Sequence, residues 1–449
     1  MSDATGLFDG VLAAGGVRDL TDDTAWVRAM LDFEAALAAA EAEHGLVDPA
    51  DAAAVADAAA DPSSYDAAAL GRAAAGTGNP AGPLVRELTD RAGAAGRIVH
   101  LGATSQDVVD TAAMLVAHRA LEVLLIDLRV CGDLLADLAE RHAGTVQVGR
   151  TLLQHALPTT FGVVAASWLS GVDAASDRLV RVRADRLAVQ FGGAVGTLAS
   201  LGERGPAVLT SLAALLGLRE AAPWHTERTR VAELAAALGG ACGAVATVAR
   251  DVVLLAQTEV AEVREEGPEG TGGSSTMPHK RNPVAAVAAV ASAQQAPGLV
   301  ATLFAAMAQE HQRAAGSWHA EWVPLRSLLR ATGSAAHWLR ASLERLRVDE
   351  DAMRANVGLT GGLLLAERVT TALAPAAGRL AAHDAVTACC RRVAEGRGEL
   401  ADLLAADPLV GAHLDRSAVA ALLDPAGYVG SAAEFTARAV AAHRGRTSR

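Results

Sequence analysis

The chain has 449 residues, too many for one ordinary core, and a net charge of −12 with no basic run. That balance disfavours nucleic acid and anionic membranes as partners, because both need a positive face. Half of the residues are hydrophobic and only 3% are aromatic, so Ala, Leu and Val must fill the interior; this suits close-packed helices and argues against a sheet-based fold.

Residues 1–10 carry acids and no basic apolar leader, and charges are expected to interrupt the apolar runs further on. A cytoplasmic protein without a membrane-spanning helix is the expectation. A helical period runs over 24–44 through Trp26, Met30, Phe33, Leu37 and Ala40, with Asp22 or Asp23 as its cap. An Ala/Asp-rich helical stretch follows, then a break at 76–80 and a further helix from about Pro83. Residues 102–107 are small and polar and read as a loop. Long helices are then predicted over 110–142, 158–189, 227–265, 283–315 and 318–346, well beyond the usual length of about 11–12 residues. Shorter helices return after Arg347, separated by Gly361-Gly362, Asp407-Pro408 and Asp424-Pro425.

The pattern predicts an all-α protein of three helical domains: 1–108, a central long-helix bundle over 109–352, and 353–449. Largely apolar helix faces imply that other subunits cover some of them. Cys131 and Cys242 sit in apolar helical patterns as inert thiols, and Cys389 and Cys390 are neighbours, which disfavours a disulfide between them. No metal-ligand spacing occurs, so a reduced protein without metal or cofactor is expected.

The stretch 267–283 interrupts two long helices and exceeds the usual length of a bundle linker, about 2–8 residues. Its glycines give freedom, and Ser274, Ser275 and Thr276 supply hydroxyls and amides that suit a developing carboxylate charge. Lys280, within it, is the only lysine of the chain, where every other basic side chain but histidine is arginine. An ammonium is compact and its pKa moves readily, unlike the permanently charged arginine fork. Asparagine is nearly as scarce, and Asn282 lies two residues on.

The run Gly273-Ser274-Ser275-Thr276-Met277-Pro278-His279-Lys280-Arg281-Asn282-Pro283 resembles the signature of the fumarase/aspartase superfamily. So do Thr104-Ser105-Gln106-Asp107 and the region 149–160, with matching spacing over nearly the whole chain. The resemblance implies a fumarase/aspartase-like fold and a homotetramer whose central helices share a core, each active site being assembled from three subunits. It implies that Ser274 exchanges a proton with carbon, while Lys280 and Asn282 hold the substrate carboxylate and its aci-carboxylate form.

Hydratase and lyase members carry a histidine serving the leaving group where this chain has Leu152. A leucine shuttles no proton, and a carboxylate needs none, its conjugate acid having a pKa of about 4. His155 is the next candidate, read as about one helical turn on at a helix start, where a capping or packing role competes with catalysis. The 3-carboxy-cis,cis-muconate cycloisomerase branch, in which a carboxylate adds to an alkene and closes a lactone, fits that logic. It is also similar over 149–162, 190–198, 310–313, 318–322, 356–384 and 423–428.

The branch implies Ser274 or His155 as the acid at carbon, with Lys280 as electrostatic support. Thr104, Ser105, Thr151 and Gln154 are candidate donors to a small polycarboxylate, with Ser275 and Met277 from the loop. Arg150 and Arg313 add charge, unless each serves a structural ion pair. His319 and Glu321 are a candidate supporting pair. The rival readings are an adenylosuccinate lyase, a lyase that expels another stable anion, as from nitrosuccinate, and an inert structural descendant. Intact Ser274, Lys280 and Asn282 argue against the last.

Overall fold

A computed structural model describes residues 6–267, 272–273, 277 and 279–447. The all-helical class holds: four helices, Ser105–Arg141, Phe161–Asp185, Thr229–Leu255 and Ser317–Arg345, run for 25 to 37 residues. The chain packs as two compact units. One comprises Met1–Arg129, Ala174–Ala246 and Ala288–Arg340; the other comprises Val130–Asp173, Thr247–Val287 and Ala341–Arg449.

In the first unit the helix Asp23–Glu43 starts where its cap demands. Asp22 is extended, and its carboxylate accepts from the Ala25 N–H, filling one of the orphan donors of the first turn. Its inward stripe includes Val27, Met30, Leu31, Phe33 and Leu37, all buried, each worth about 1.5–3 kcal/mol of transfer free energy. Phe33 meets Phe191 edge-on at 6.4 Å.

The helix predicted over 110–142 begins earlier, at Ser105, so the second half of the expected loop at 102–107 is helix. Polar residues there act as start signals rather than breakers. The Thr104 N–H donates to Asp107 Oδ2 at 3.1 Å, and the Asp107 N–H returns to the Thr104 carbonyl at 2.8 Å.

In the second unit the prediction of helix from residue 158 gives way to a hairpin. Strands β1 (Val146–Thr151) and β2 (Gln154–Thr160) pair antiparallel before the helix Phe161–Asp185 starts. The register slips between Val148 and Arg150, and a Cβ on Gly149 would lie 2.7 Å from the Leu157 carbonyl, so only glycine fits that bulge. The helix expected to reach Glu265 ends at Leu255. Residues Val263–Glu265 form β3, paired antiparallel with β4 (Leu346–Val348).

The helix expected over 283–315 is two, Val284–Ala293 and Ala296–Ala305. Pro297, near the start of the second, lacks the N–H that would continue the first. At the carboxy-terminal end Val369, Leu373, Val386, Leu400, Leu404 and Val419 share a core. His443 ties the last helix down, its Nδ1 at 2.9 Å from Asp173 and its Nε2 at 3.1 Å from Asp133.

The apolar runs are less interrupted than expected. Thr229–Leu255 and the stretch Val284–Ala305 are long and apolar enough to cross a membrane by length and composition. However, 56% of the apolar window of the first is buried within the protein, as in a core helix.

Candidate active site

Two groups of the expected residues take shape, one in each unit. In the first unit Thr104 and Ser105 stand at the start of Ser105–Arg141, and the Thr104 hydroxyl accepts from Arg313 Nη2. Arg313 is half-buried, has no carboxylate partner among the described residues, and its buried Nε has no acceptor. Burial pulls its pKa down, against Asp107 and Asp110, which push it up. A guanidinium kept from its countercharge beside a hydroxyl and a helix start is a ready carboxylate site.

That arrangement rests on buried carboxylates, of which the sequence reading gave a role only to Glu321. Asp107, fully buried, accepts from Gln190 Nε2 at 2.9 Å, the Gly192 and Gly193 N–H groups at 3.2 and 2.9 Å, and His225 Nε2 at 2.8 Å. It thereby pins the 190–198 segment. Asp110 and Glu321 clamp the buried Arg228, and Trp318 Nε1 donates to Asp110 at 3.0 Å. Gln309 Nε2 reaches Glu321 at 2.9 Å. The two aspartates are legible as a pair three residues apart, but their tertiary partners lie 83 to 208 residues away. The expected His319–Glu321 pair does not form among these bonds: His319 stacks against Trp318 and Trp322 instead.

In the second unit the hairpin changes the geometry assumed for His155. Leu152 and Leu153 form its two-residue tip, with φ of 52° and 64°, the left-handed values a type I′ turn requires. Arg150 faces His155 and Thr151 faces Gln154 across the strands. Directly opposed residues share a face and successive residues alternate. Thr151 and Gln154 are therefore exposed on one face, while Arg150 and half-buried His155 share the other. Arg150 is bound there in a bidentate pair with the buried Glu262, at 2.7 and 3.0 Å, which Gln147 and Asn356 also contact. Its charge is thus neutralised locally, the ion-pair alternative named above. Leu152 is 97% exposed and Leu153 71%, an unusual position for leucine at a strained turn.

The loop is closed at its base. Asn282 donates its backbone N–H and its Nδ2 to the Gly272 carbonyl at 2.9 and 3.1 Å, and Gly273 bridges to Arg281. At Gly272, with φ of 71°, a Cβ would sit 2.7 Å from the Asn282 carbonyl, so glycine is required. Glu265 caps the following helix, accepting from the Ala285 and Ala286 N–H groups and from Ser342. Lys280 and Met277 are exposed above that base. Ser274 and Ser275 lie outside the described residues. The Cys242 thiol, pushed up to about 11 by burial, has no part in such a site.

Known proteins decide the family. Residues 17–298 match the model described as lyase, and 362–439 match the adenylosuccinate lyase C-terminus. The chain belongs to the fumarase/aspartase superfamily of lyases. This lyase is 48% identical to the 3-carboxy-cis,cis-muconate cycloisomerase of Pseudomonas aeruginosa, over 99% of this chain and 98% of that one. The nitrosuccinate lyase of Streptomyces davaonensis is 42% identical over 97% and 94%. The crystal structure of the 3-carboxy-cis,cis-muconate lactonizing enzyme from Pseudomonas putida superposes with a TM-score of 0.93. It is 43% identical and covers 98% of this lyase and 99% of its own chain.

Proposed function

We propose that this lyase converts 3-carboxy-cis,cis-muconate to 4-carboxymuconolactone without a cofactor, as a cytoplasmic homotetramer in aromatic breakdown. The observation that carries the reading is Leu152. At the hairpin tip, where lyases of the superfamily present a histidine to a leaving group, this chain has a side chain that moves no proton.

In the proposed reaction one substrate carboxylate attacks the distal alkene carbon. The C–O bond forms, and the alkene electrons pass into the neighbouring carboxylate as an enediolate. A proton delivered to carbon then completes the lactone. The enediolate carries two negative charges, so positive charge and aligned donors are what lower the barrier. Lys280 supplies the charge, and the loop around Ser274, Ser275, Met277 and Asn282 supplies donors and closure. Thr104, Ser105 and Arg313 bind a second carboxylate, and Thr151 and Gln154 contribute from the hairpin. Ser274 is the acid we favour, because the hairpin sends His155 to the face occupied by Arg150 and Glu262 rather than to that of Thr151 and Gln154. Apolar side chains left exposed on the long-helix region, among them Ile126, Val180, Val287 and Phe304, support an assembly that covers them.

The 42% identity to a nitrosuccinate lyase favours a second reading, expulsion of nitrite, since that anion also leaves without a proton. Offering purified protein 3-carboxymuconate, nitrosuccinate, adenylosuccinate and argininosuccinate in turn, with ultraviolet absorbance followed, separates them. Loss of diene absorbance with carboxymuconate is expected, and turnover of nitrosuccinate or adenylosuccinate alone would overturn the proposal. Lys280→Arg is expected to lower kcat by about 10²-fold. Full activity in that variant would remove the lysine from the mechanism.

A further inference from the structure

Glu34 lies on the inward face of the Asp23–Glu43 helix, 1% exposed, and the reaction proposed above makes no use of it. Its Oε1 sits 2.7 Å from His100 Nδ1, and its buried Oε2 has no hydrogen-bond partner among the described residues. A buried carboxylate normally fills its lone pairs, so one held against a single imidazole directs attention to that imidazole. His100 itself has φ of 63°, a left-handed conformation that bulky residues adopt rarely and mostly where the surroundings enforce it. The turn it opens closes with the Ala103 N–H on the His100 carbonyl at 3.3 Å and delivers Thr104, which holds Arg313. With Nδ1 taken by Glu34, Nε2 lies on the far side of the ring and has no partner among the described residues.

We infer that Glu34 is a positioning residue that holds His100 as an imidazolium, whose Nε2–H, on the turn that leads to Thr104 and its partner Arg313, binds a carboxylate of the polycarboxylate substrate. The inference rests on the substrate class proposed above. The charged groups acting on His100 are Glu34, from the Asp23–Glu43 helix, and Asp107, from the Ser105–Arg141 helix. Glu41, the other buried acid of the first helix, lies within the field of the Glu34 charge. Burial alone would lower the pKa of His100. The Glu34 charge and hydrogen bond, with Asp107 behind them, reverse this and leave its pKa raised. A raised pKa keeps the imidazolium to higher pH, and removing the Glu34 charge leaves burial to act, so the proton is lost at lower pH.

The test follows His100 directly. The full-length protein, labelled with ¹³C-histidine, is titrated by NMR as wild type, Glu34→Gln and Glu34→Asp, with and without propane-1,2,3-tricarboxylate. His100→Asn assigns the resonance. In parallel, kcat and KM for carboxymuconate are measured from pH 6 to pH 9. Glu34→Gln is expected to lower the His100 midpoint by about one pH unit or more. It should raise KM about tenfold at pH 8 but little at pH 6, with kcat moving less. Glu34→Asp should keep part of the wild-type midpoint, and it carries the test if the glutamine variant does not fold. The tricarboxylate is expected to shift the wild-type His100 resonance. An unmoved midpoint in Glu34→Gln, or a KM change by one factor at every pH, overturns the inference. If carboxymuconate is not turned over but His100 titrates and responds to the tricarboxylate as described, the dyad stands and the reaction assignment falls.

Discussion

Glu41 is fully buried, neither of its carboxylate oxygens has a hydrogen-bond partner among the described residues, and burial, with Glu34 behind it, pushes its pKa up to about 8. Such an acid binds its proton more tightly in the folded chain than in the unfolded one. The folded state therefore carries no penalty below the ordinary carboxylate pKa of about 4.5. It loses stability as pH rises from there to about 8, by up to about 1.4 kcal/mol per pH unit. Glu41→Met, which removes the charge and keeps the volume, is expected to raise Tm more at pH 8 than at pH 5 and to flatten the profile between. An equal shift at both pH values in a thermal melt would show that Glu41 is ionised in the folded state. Asp107 shows the opposite arrangement, its two oxygens meeting five donors, and such a carboxylate is stabilising only because every partner is in place.

Among the elements, the β1–β2 hairpin departs most from what its sequence suggests. Leu-Leu is a poor choice for two positions of positive φ, where Asn-Gly would relieve roughly 1–2 kcal/mol per residue. Natural strain of this kind marks functional positions. The double variant Leu152→Asn, Leu153→Gly is therefore expected to keep or raise Tm while lowering kcat/KM at least about tenfold, a loss of about 1.4 kcal/mol in transition-state binding. Unchanged kinetics would make the tip a passive turn. The helix starts at Asp22 and the shorter carboxy-terminal helices were legible because their caps lie within three residues of the first turn. The hairpin was not, since Gln154 to Thr160 carries neither strict alternation nor a turn dipeptide, and strand pairing overrode the helical reading.

At the scale of the whole molecule, the apolar residues left outside are the informative ones. Val284 and Val287 on one helix and Phe304 on the next remain exposed in the single chain, within a stretch of which only 39% of the apolar window is buried. Val287→Glu with Phe304→Glu is expected to convert the proposed tetramer to smaller species in light scattering and to abolish activity with it, because each proposed site draws on several copies. A monodisperse tetramer in that variant would place the interface elsewhere.

Contiguous residues determined the superfamily and the chemistry beside a carboxylate. The loop 273–283 and the motif Thr104-Ser105-Gln106-Asp107 are unbroken in the chain, and helix periods and caps are set by neighbours a few residues apart. Tertiary structure alone decided that Arg150 is neutralised by Glu262 while Arg313 meets a hydroxyl and no carboxylate among the described residues, that His155 turns away from Thr151, and that Glu34 meets His100. Those outcomes depend on which buried charge finds which partner across 66 to 209 residues. That choice is made by desolvation in the packed interior and leaves no local pattern to read.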